Sequence, residues 1–324
     1  MQFRTEIEES TYPFRINQKD KVLSIGSCFA NRIGQYFTEN KMNCLSNPYG
    51  VIYNPISVFR LLSQSLTEQP ILPNYLTERD GRWYHYDFHS MYSNEQKDLL
   101  SEELNLVHKD VRGFIRKADY LIITLGTAFV HRIRSSQHIV ANCHKKPSNI
   151  FERDLLTQKE IGIRFRQFYE NLKMVNPKIK IIFTVSPVRH IKDTLQGNNL
   201  SKSLLRLACH YFCIDFKDVY YFPAYEILMD DLRDYRYYET DMIHVNEAGQ
   251  NYVIEHFRKS AFSENLNTFI GQWQQVRNQL RHKPFNAESE NHQLFLKKLL
   301  LKLEDMDGSI DLQKEKELVK AQLL

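Results

Sequence analysis

Near the start of the chain, a hydroxyl and a thiol, Ser27 and Cys28, are the residues best suited to chemistry. They follow an apolar run at 22–25 that is broken by Gly26, and apolar residues then recur at every fourth position over 29–37. This spacing predicts a strand, a tight turn and a helix. In α/β folds ligands bind where a strand ends and the next helix begins, and free backbone N–H groups there can stabilise an anion or an oxyanion.

A structural role for Ser27 and Cys28 is an open alternative. Serine is a favoured N-cap residue, and an unpaired cysteine is often a small buried apolar residue. Because no Gly-Lys-Ser/Thr sequence follows Gly26, the turn is not a phosphate-binding P-loop. The segment alone therefore predicts either a nucleophile at the rim of a sheet or a simple helix cap.

A carboxylate and a histidine late in the chain, Asp241 and His244, form the second chemical candidate. An aspartate three residues before a histidine can accept a hydrogen bond from one imidazole nitrogen and leave the other nitrogen facing a cleft. That arrangement stabilises the imidazolium that forms when the histidine takes a proton from a nucleophile. Such a pair is weak as an isolated signal, but with Ser27 or Cys28 it predicts nucleophilic catalysis.

Three further apolar runs, at 120–125, 180–185 and 219–222, have the length and composition of buried parallel strands. Amphipathic stretches with helical spacing separate them. The alternation of strands and helices over residues 20–260 predicts a doubly wound, mostly parallel sheet. The carboxyl ends of these strands would hold the chemical candidates along one edge.

The last part of the chain has a different pattern. Residues 264–281 and 288–322 predict helices without intervening strands. We therefore divide the chain into an α/β domain, residues 1–262, and a C-terminal helical extension, residues 263–324. The extension would either pack on the main domain or join two chains as a homodimer.

The composition of the chain excludes several classes of protein. At 324 residues and 42% hydrophobic content it can form a sizeable core, and a formal charge of +4 gives no reason to expect a nucleic-acid or acidic membrane partner. The five cysteines lack the spacing of a zinc site or a disulfide framework, so neither a metal nor a cofactor is expected. Without a signal-peptide pattern or a membrane-spanning apolar run, the sequence predicts a soluble, cytoplasmic protein.

Six short motifs occur in order along the chain. They are G-S-C-F-A at 26–30, N-P-Y-G-V-I-Y-N-P at 47–55, L-G-T-A at 125–128, V-A-N-C-H-K at 140–145, T-V-S-P-V-R-H at 184–190 and D-M-I-H at 241–244. The set resembles the GSCFA domain family, a branch of the SGNH/GDSL hydrolase superfamily. The resemblance covers roughly residues 3–260 and leaves out the C-terminal helices.

The resemblance implies a flavodoxin-like three-layer α/β/α fold and ester hydrolysis or acyl transfer at the strand ends. The substrate would be a small-molecule or carbohydrate ester, such as an O-acetyl group. His244 would be the base, Asp241 its orienting partner, and the N–H of Gly50 part of the oxyanion hole. The alternative is a catalytically weak or inactive module of this fold that binds a glycan or a protein partner.

The nucleophile stays ambiguous because the family departs from the superfamily pattern. The superfamily's G-D-S block, laid over the sequence without a gap, puts its serine on Cys28 and its aspartate on Ser27. A thiol is the better nucleophile, whereas ester hydrolysis in this superfamily resembles a serine mechanism. The register favours Cys28, and the chemistry slightly favours Ser27.

The superfamily's G-x-N block also differs, because its asparagine falls on Ala128. The oxyanion donor would then be Thr127 or Asn142, or would be missing, and the loss of one such donor costs about a hundred- to a thousandfold in rate. Arg189 and His190 follow the predicted strand at 180–185. They would bind an anionic group of the substrate, or the arginine would hold a loop through backbone carbonyls.

Overall fold

The strands of the protein fall into three sheets in a computed structural model that describes residues 4–306 and 310–324. Five form the central sheet, two form a hairpin and three form a small antiparallel sheet. In chain order the strands are β1 (Lys21–Gly26), β2 (Asn43–Ser46), β3 (Leu76–Arg79), β4 (Arg82–His85), β5 (Tyr120–Leu125), β6 (Phe129–Ile133), β7 (Ile139–Val140), β8 (Phe151–Leu155), β9 (Lys180–Val185) and β10 (Val219–Phe222).

The central sheet has the order β10-β9-β5-β1-β2 and all of its pairings are parallel. From β1 the sheet extends to β2 on one side and to β5, β9 and β10, in that order, on the other side. This is the doubly wound order of flavodoxin-like folds, in which the order reverses between the first and the third central strand. The switch point lies between β1 and β5, where ligands bind in folds of this type.

The α-helices cover both faces of the central sheet. They are α1 (Cys28–Glu39), α2 (Pro55–Thr67), α3 (Lys97–Ile115), α4 (Gln158–Val175), α5 (Thr194–Asp215), α6 (Ala224–Glu226), α7 (Glu247–Ala261), α8 (Glu264–Leu280), α9 (Glu290–Met306) and α10 (Gln313–Lys320). Successive side chains of a strand point to opposite faces, so each strand contributes to two apolar cores. Leu23 and Ile25 of β1 pack with α2 to α5, whereas Val22 packs with α1, α7 and α8. The predicted three-layer α/β/α fold is confirmed.

A backbone contact at the end of β1 fixes the switch point. Gly26 has φ +134°, and a Cβ there would lie 2.1 Å from the carbonyl oxygen of Thr124 on β5. Glycine is required because it has no Cβ and adopts positive φ without strain. The chain can therefore turn directly from β1 into α1 at this point.

The loop between β2 and α2 is tied to both central strands at the switch point. The N–H of Gly26 donates to Asn47 Oδ1 at 2.7 Å, and the N–H of Ile52 donates to the Gly26 carbonyl at 2.9 Å. The N–H of Gly126, just after β5, donates to the Tyr53 carbonyl at 2.8 Å. These bonds make the loop a fixed wall of the rim.

The C-terminal helices have their own apolar cluster and pack on the end of α1. The cluster joins α8, α9 and α10, and Trp273 Nε1 donates to the carbonyl of Glu39, the last residue of α1, at 2.8 Å. Arg277 pairs with the Glu39 carboxylate at 3.0 Å, and Lys41 pairs with Glu315 at 2.7 Å. The extension is thus docked on its own chain, and a homodimer through these helices stays a prediction.

Replacement of Phe165 by alanine tests the larger core. Its side chain is fully buried, and its ring lies 4.0 Å from that of Phe212 and 5.1 Å from that of Phe183, measured between centroids. We expect Phe165→Ala to lower the free energy of unfolding by about 3–5 kcal/mol. Urea unfolding followed by circular dichroism measures this, and Met174→Ala, at an exposed position of the same helix, is the control. A loss no larger than the control's would contradict this packing.

Candidate active site

Ser27 and Cys28 lie side by side at the start of α1 but differ in accessibility. Ser27 is the N-cap residue and is only 1% exposed, and its buried Oγ has no hydrogen-bond partner among the described residues. Cys28 is the first residue of the helix and is half-buried. Cys28 is therefore the more accessible of the two residues.

The surroundings of Cys28 act on its thiol in opposite directions. Burial has the largest effect and holds the pKa of Cys28 above its usual value, whereas its own N–H, the charge of Lys202 and the N–H of Phe29 oppose this shift. The first N–H groups of a helix have no partner within the helix and carry partial positive charge. The N–H groups of Cys28 and Phe29 thus lie beside the sulfur, where they can also stabilise an oxyanion formed on a substrate.

Lys202 of α5 is a site residue that sequence reasoning missed. It is 1% exposed, and its Nζ donates to the carbonyls of Gly126 at 2.7 Å and Ser186 at 2.6 Å. Burial lowers the pKa of Lys202 to about 7, and the charge of Cys28 opposes this shift. The sequence does contain a signal that Lys202 is buried, because Lys202 lies three residues before the buried Leu205 and shares its helix face.

Asp241 and His244 form the hydrogen-bonded pair that their spacing suggests. His244 Nδ1 lies 2.6 Å from Asp241 Oδ2, and Asp241 Oδ1 accepts from the N–H groups of Ile243 and His244 at 2.9 Å each. These hydrogen bonds, first that from the imidazole, lower the pKa of Asp241 to about 2. With Nδ1 donating to the carboxylate, Nε2 of the neutral imidazole is the free proton acceptor.

His244 is about half-exposed and does not point into the core. Within residues 4–306 and 310–324, no hydrogen bond joins it to Ser27 or Cys28. Its loop lies on the α1 side of the sheet, because Val245 and Phe29 belong to the same apolar cluster. The structure therefore places the pair on the same side of the sheet as the thiol, with no hydrogen bond between them in the described residues.

His190, which follows β9, lies close to both Lys202 and His244. Its Nε2 is buried and has no hydrogen-bond partner in the described part of the chain, and its ring lies nearly perpendicular to that of Tyr53, 5.4 Å away between centroids. Burial, and then the charges of Lys202 and His244, lower the pKa of His190 to about 4. His190 is therefore neutral at physiological pH.

Arg189 lines a small cavity of about 120 Å³ beside the Asp241 loop. Its guanidinium carbon lies 4.9 Å from the centre of the Tyr238 ring, and Nη2 approaches the sulfur of Met229 at 3.7 Å. In the described part of the chain, Arg189 has no carboxylate partner and bonds no backbone carbonyl. The cavity is lined by Arg189, Leu228, Met229, Arg233, Asp234, Tyr235 and Tyr238.

The three expected oxyanion donors are engaged elsewhere. The N–H of Gly50, at φ +77°, closes a turn by donating to the Asn47 carbonyl at 2.8 Å. The N–H of Thr127 donates to the Tyr53 carbonyl, and its hydroxyl accepts from the N–H of Phe129 at 3.0 Å.

Asn142 is the third of these donors, and its amide donates to Ser90 Oγ at 3.1 Å in the loop after β7. The structure brings none of the three to Cys28 as a free donor. The N–H groups at the start of α1 are therefore the remaining candidates for oxyanion donors beside Cys28.

Two other kinds of site are absent from the described residues. Within residues 4–306 and 310–324, no three His, Cys, Asp or Glu side chains converge in a way that would hold a metal ion. In the same part of the chain, every helix is too short or too polar to span a lipid bilayer.

The strand order and the residues at the switch point define a doubly wound α/β domain with a thiol, a buried lysine and an Asp–His pair at its carboxyl rim. A family model described as GSCFA family matches residues 21–257, and a model described as GSCFA domain protein, C-terminal domain, matches residues 273–324. The chain therefore belongs to the GSCFA family. A comparison with curated proteins finds no match.

The titration of His190 tests the arrangement of charges at the rim. Its pKa near 4 lies below the ordinary value of 6.5, so the unfolded chain binds more protons, and His190 destabilises the fold as pH falls from 6.5 towards 4. We expect an NMR titration midpoint near 4 in the wild type. Lys202→Met should raise the midpoint by removing a nearby positive charge.

The control for this titration is Lys173→Met, because Lys173 also donates to two backbone carbonyls, those of Pro177 and Ile179. It should leave the midpoint of His190 unchanged. A midpoint above 6, or an equal shift in both lysine variants, would contradict the arrangement.

Proposed function

We propose that this protein is an SGNH-type esterase or O-acyltransferase that acts on a small acyl ester through Cys28. The accessibility of the two candidate nucleophiles carries the proposal. Cys28 is half-buried at the rim of the switch point, whereas Ser27 is 1% exposed. The order of the motifs and the Asp241–His244 hydrogen bond support it further.

In the first half of the reaction the thiol of Cys28 attacks the ester carbonyl. His244 Nε2 accepts the thiol proton, and Asp241 stabilises the imidazolium. A bond forms between Sγ and the carbonyl carbon, and the N–H groups of Cys28 and Phe29 stabilise the oxyanion. The C–O bond to the alcohol then breaks, and the alcohol leaves with the proton from His244. The products are a free alcohol and a thioester on Cys28.

In the second half a hydroxyl group attacks the thioester. His244 takes the proton of that hydroxyl, the Sγ–C bond breaks, and the proton returns to the sulfur. With water as the attacking group the protein is a hydrolase, and with a second alcohol it is an acyltransferase. His244 must approach Cys28 for both steps, and catalytic hydrogen bonds often tighten only in the substrate complex.

The groups around the Asp241 loop suggest the kind of substrate. The exposed Tyr235 offers a ring on which a sugar can stack, and the guanidinium of Arg189 is free to pair with an anionic group. We therefore propose an ester of a carbohydrate or another polyol that carries a small acyl group such as acetyl. The cavity of about 120 Å³ is too small for a long acyl chain.

The second candidate function is a weakly active or inactive module that binds a glycan or a protein partner. The engaged N–H groups of Gly50 and Thr127 favour it. So does the lack of a hydrogen bond between His244 and Cys28 in the described residues. The half-exposed Asp241–His244 pair and the accessible thiol favour the enzyme.

Hydrolysis of p-nitrophenyl acetate, with intact-mass and peptide-mass detection of an acyl adduct, separates the two functions. We expect the adduct on Cys28, and Cys28→Ala should abolish it and reduce turnover by at least about a hundredfold. His244→Ala should reduce turnover by about a hundred- to ten-thousandfold through loss of the base. Ser27→Ala should retain turnover of the wild-type order, because the buried Oγ makes no hydrogen bond.

The control in this assay is Cys143→Ala, because Cys143 is also half-buried but belongs to the loop after β7. It should leave both the adduct and the turnover intact. An adduct on Ser27, or its persistence in Cys28→Ala, would contradict Cys28 as the nucleophile. A wild type without adduct or turnover would support the binding module.

A further inference from the structure

Lys202 is a buried charged side chain without a carboxylate partner in the described residues. Burial of an ammonium group costs free energy unless hydrogen bonds and charges compensate. Its two bonds to the carbonyls of Gly126 and Ser186 compensate only in part, because its pKa still falls to about 7. A strongly perturbed ionisable group at the rim of a cleft is a candidate functional residue.

The position of Lys202 relates it to the thiol. Gly126 and Ser186 are the first residues after β5 and β9, and Cys28 lies just beyond β1, which pairs with β5. Lys202 and Cys28 act on each other by charge, since each changes the pKa of the other. No hydrogen bond joins the two in the described structure, so Lys202 acts through its electric field.

Two neighbouring ionisable groups, Tyr53 and His190, are uncharged near neutral pH. Tyr53 faces Cys28, and burial raises its pKa above the ordinary value of 10.0. His190 faces Lys202, and its pKa lies near 4. His244 acts on His190 from the Asp241 loop. Lys202 is thus the positive group that acts directly on Cys28.

We propose that Lys202 is a positioning residue for Cys28, whose ammonium group, held at the ends of β5 and β9, stabilises the thiolate. The thiol proton leaves to solvent or to a neutral Lys202 amine, so the resulting thiolate–ammonium pair is neutral overall. The role of the thiol in catalysis rests on the function proposed above, but the effect of Lys202 on the thiol does not. Lys202 thus makes Cys28 more reactive than the same thiol would be without this charge.

The pH dependence follows from coupled titration. Below about pH 7 Lys202 is protonated, and its charge increases the thiolate fraction of Cys28 at any given pH. Above pH 7 Lys202 tends to lose its proton, so the thiolate fraction of Cys28 in the wild type levels off. It rises again only at the higher pH where Cys28 ionises without the charge of Lys202. A variant without the charge has less thiolate at low pH and converges with the wild type at high pH.

Alkylation of the full chain by iodoacetamide from pH 5.5 to 9.5 measures this directly. In the reaction the Sγ–C bond forms and iodide leaves, and peptide mass spectrometry gives the rate at each cysteine. We expect Lys202→Met to slow alkylation of Cys28 about tenfold at pH 6, as for a pKa change of one unit, and to leave it unchanged near pH 9.5. Burial raises the pKa of both Cys143 and Cys213 to about 11, so these serve as slower internal references.

Lys173→Met is the matched control, because Lys173 also bonds two carbonyls, but next to the opposite end of β9. It should leave the Cys28 profile unchanged. Identical profiles for the wild type and Lys202→Met would overturn the proposal. An equal slowing in both lysine variants would also overturn it, because the effect would then be structural.

A second comparison keeps the proposal testable if Lys202→Met does not fold. Cys28→Asp and Cys28→Asn place a charged and a neutral side chain of the same shape at position 28. With ¹³C-labelled lysine, we expect the Lys202 NMR titration midpoint to be higher in Cys28→Asp, because a nearby carboxylate stabilises the ammonium. Equal midpoints would overturn the proposal.

The two proposals can fail separately. If the alkylation profile shows the Lys202 effect but the protein forms no acyl adduct, Lys202 activates the thiol and the esterase function is wrong. If Cys28 is acylated but Lys202→Met has a wild-type alkylation profile, the esterase function holds and the role of Lys202 is wrong.

Discussion

The contact between Gly26 and Thr124 is the constraint on which the rest of the rim depends. The backbone of β1 passes so close to β5 that a side chain at position 26 would overlap a carbonyl oxygen. This approach brings the start of α1 to the end of β5, and the loop that contains Asn47 and Tyr53 bonds to both strands. The thiol, the lysine-bound carbonyl of Gly126 and the wall of the cleft are therefore set by one pairing of strands.

The central sheet could be predicted closely because its strands are buried on both faces. The apolar runs at 120–125, 180–185 and 219–222 have the same bounds as β5, β9 and β10. The antiparallel sheet of β6, β7 and β8 was not predicted, since its strands are partly exposed or very short and it depends on pairing between distant segments. Helix α5 begins at Thr194 with a polar first turn, in which the Thr194 hydroxyl accepts from the N–H of Gly197 and buried Asn198 accepts from the N–H of His190.

The site was predictable where its geometry is local. Asp241 and His244 are three residues apart, so their hydrogen bond follows from the turn that contains them. The sequence could not show which N–H groups at the rim are free to bind an oxyanion. The hydrogen-bond partners of the Gly50 and Thr127 N–H groups are set by the folded loops. Lys202 was missed because its significance comes from packing against two strand ends that are distant in sequence, and a lysine within a helix is ordinarily a surface residue.

Helix α1 is held at both of its ends by different parts of the chain. Cys28 begins it at the switch point, and Glu39, at its other end, is bonded by Trp273 and Arg277 of the extension. A helix of 12 residues is a stiff rod of about 18 Å. The C-terminal helices thus hold the end of α1 that lies away from the thiol, and they restrain the tilt of the helix that carries it.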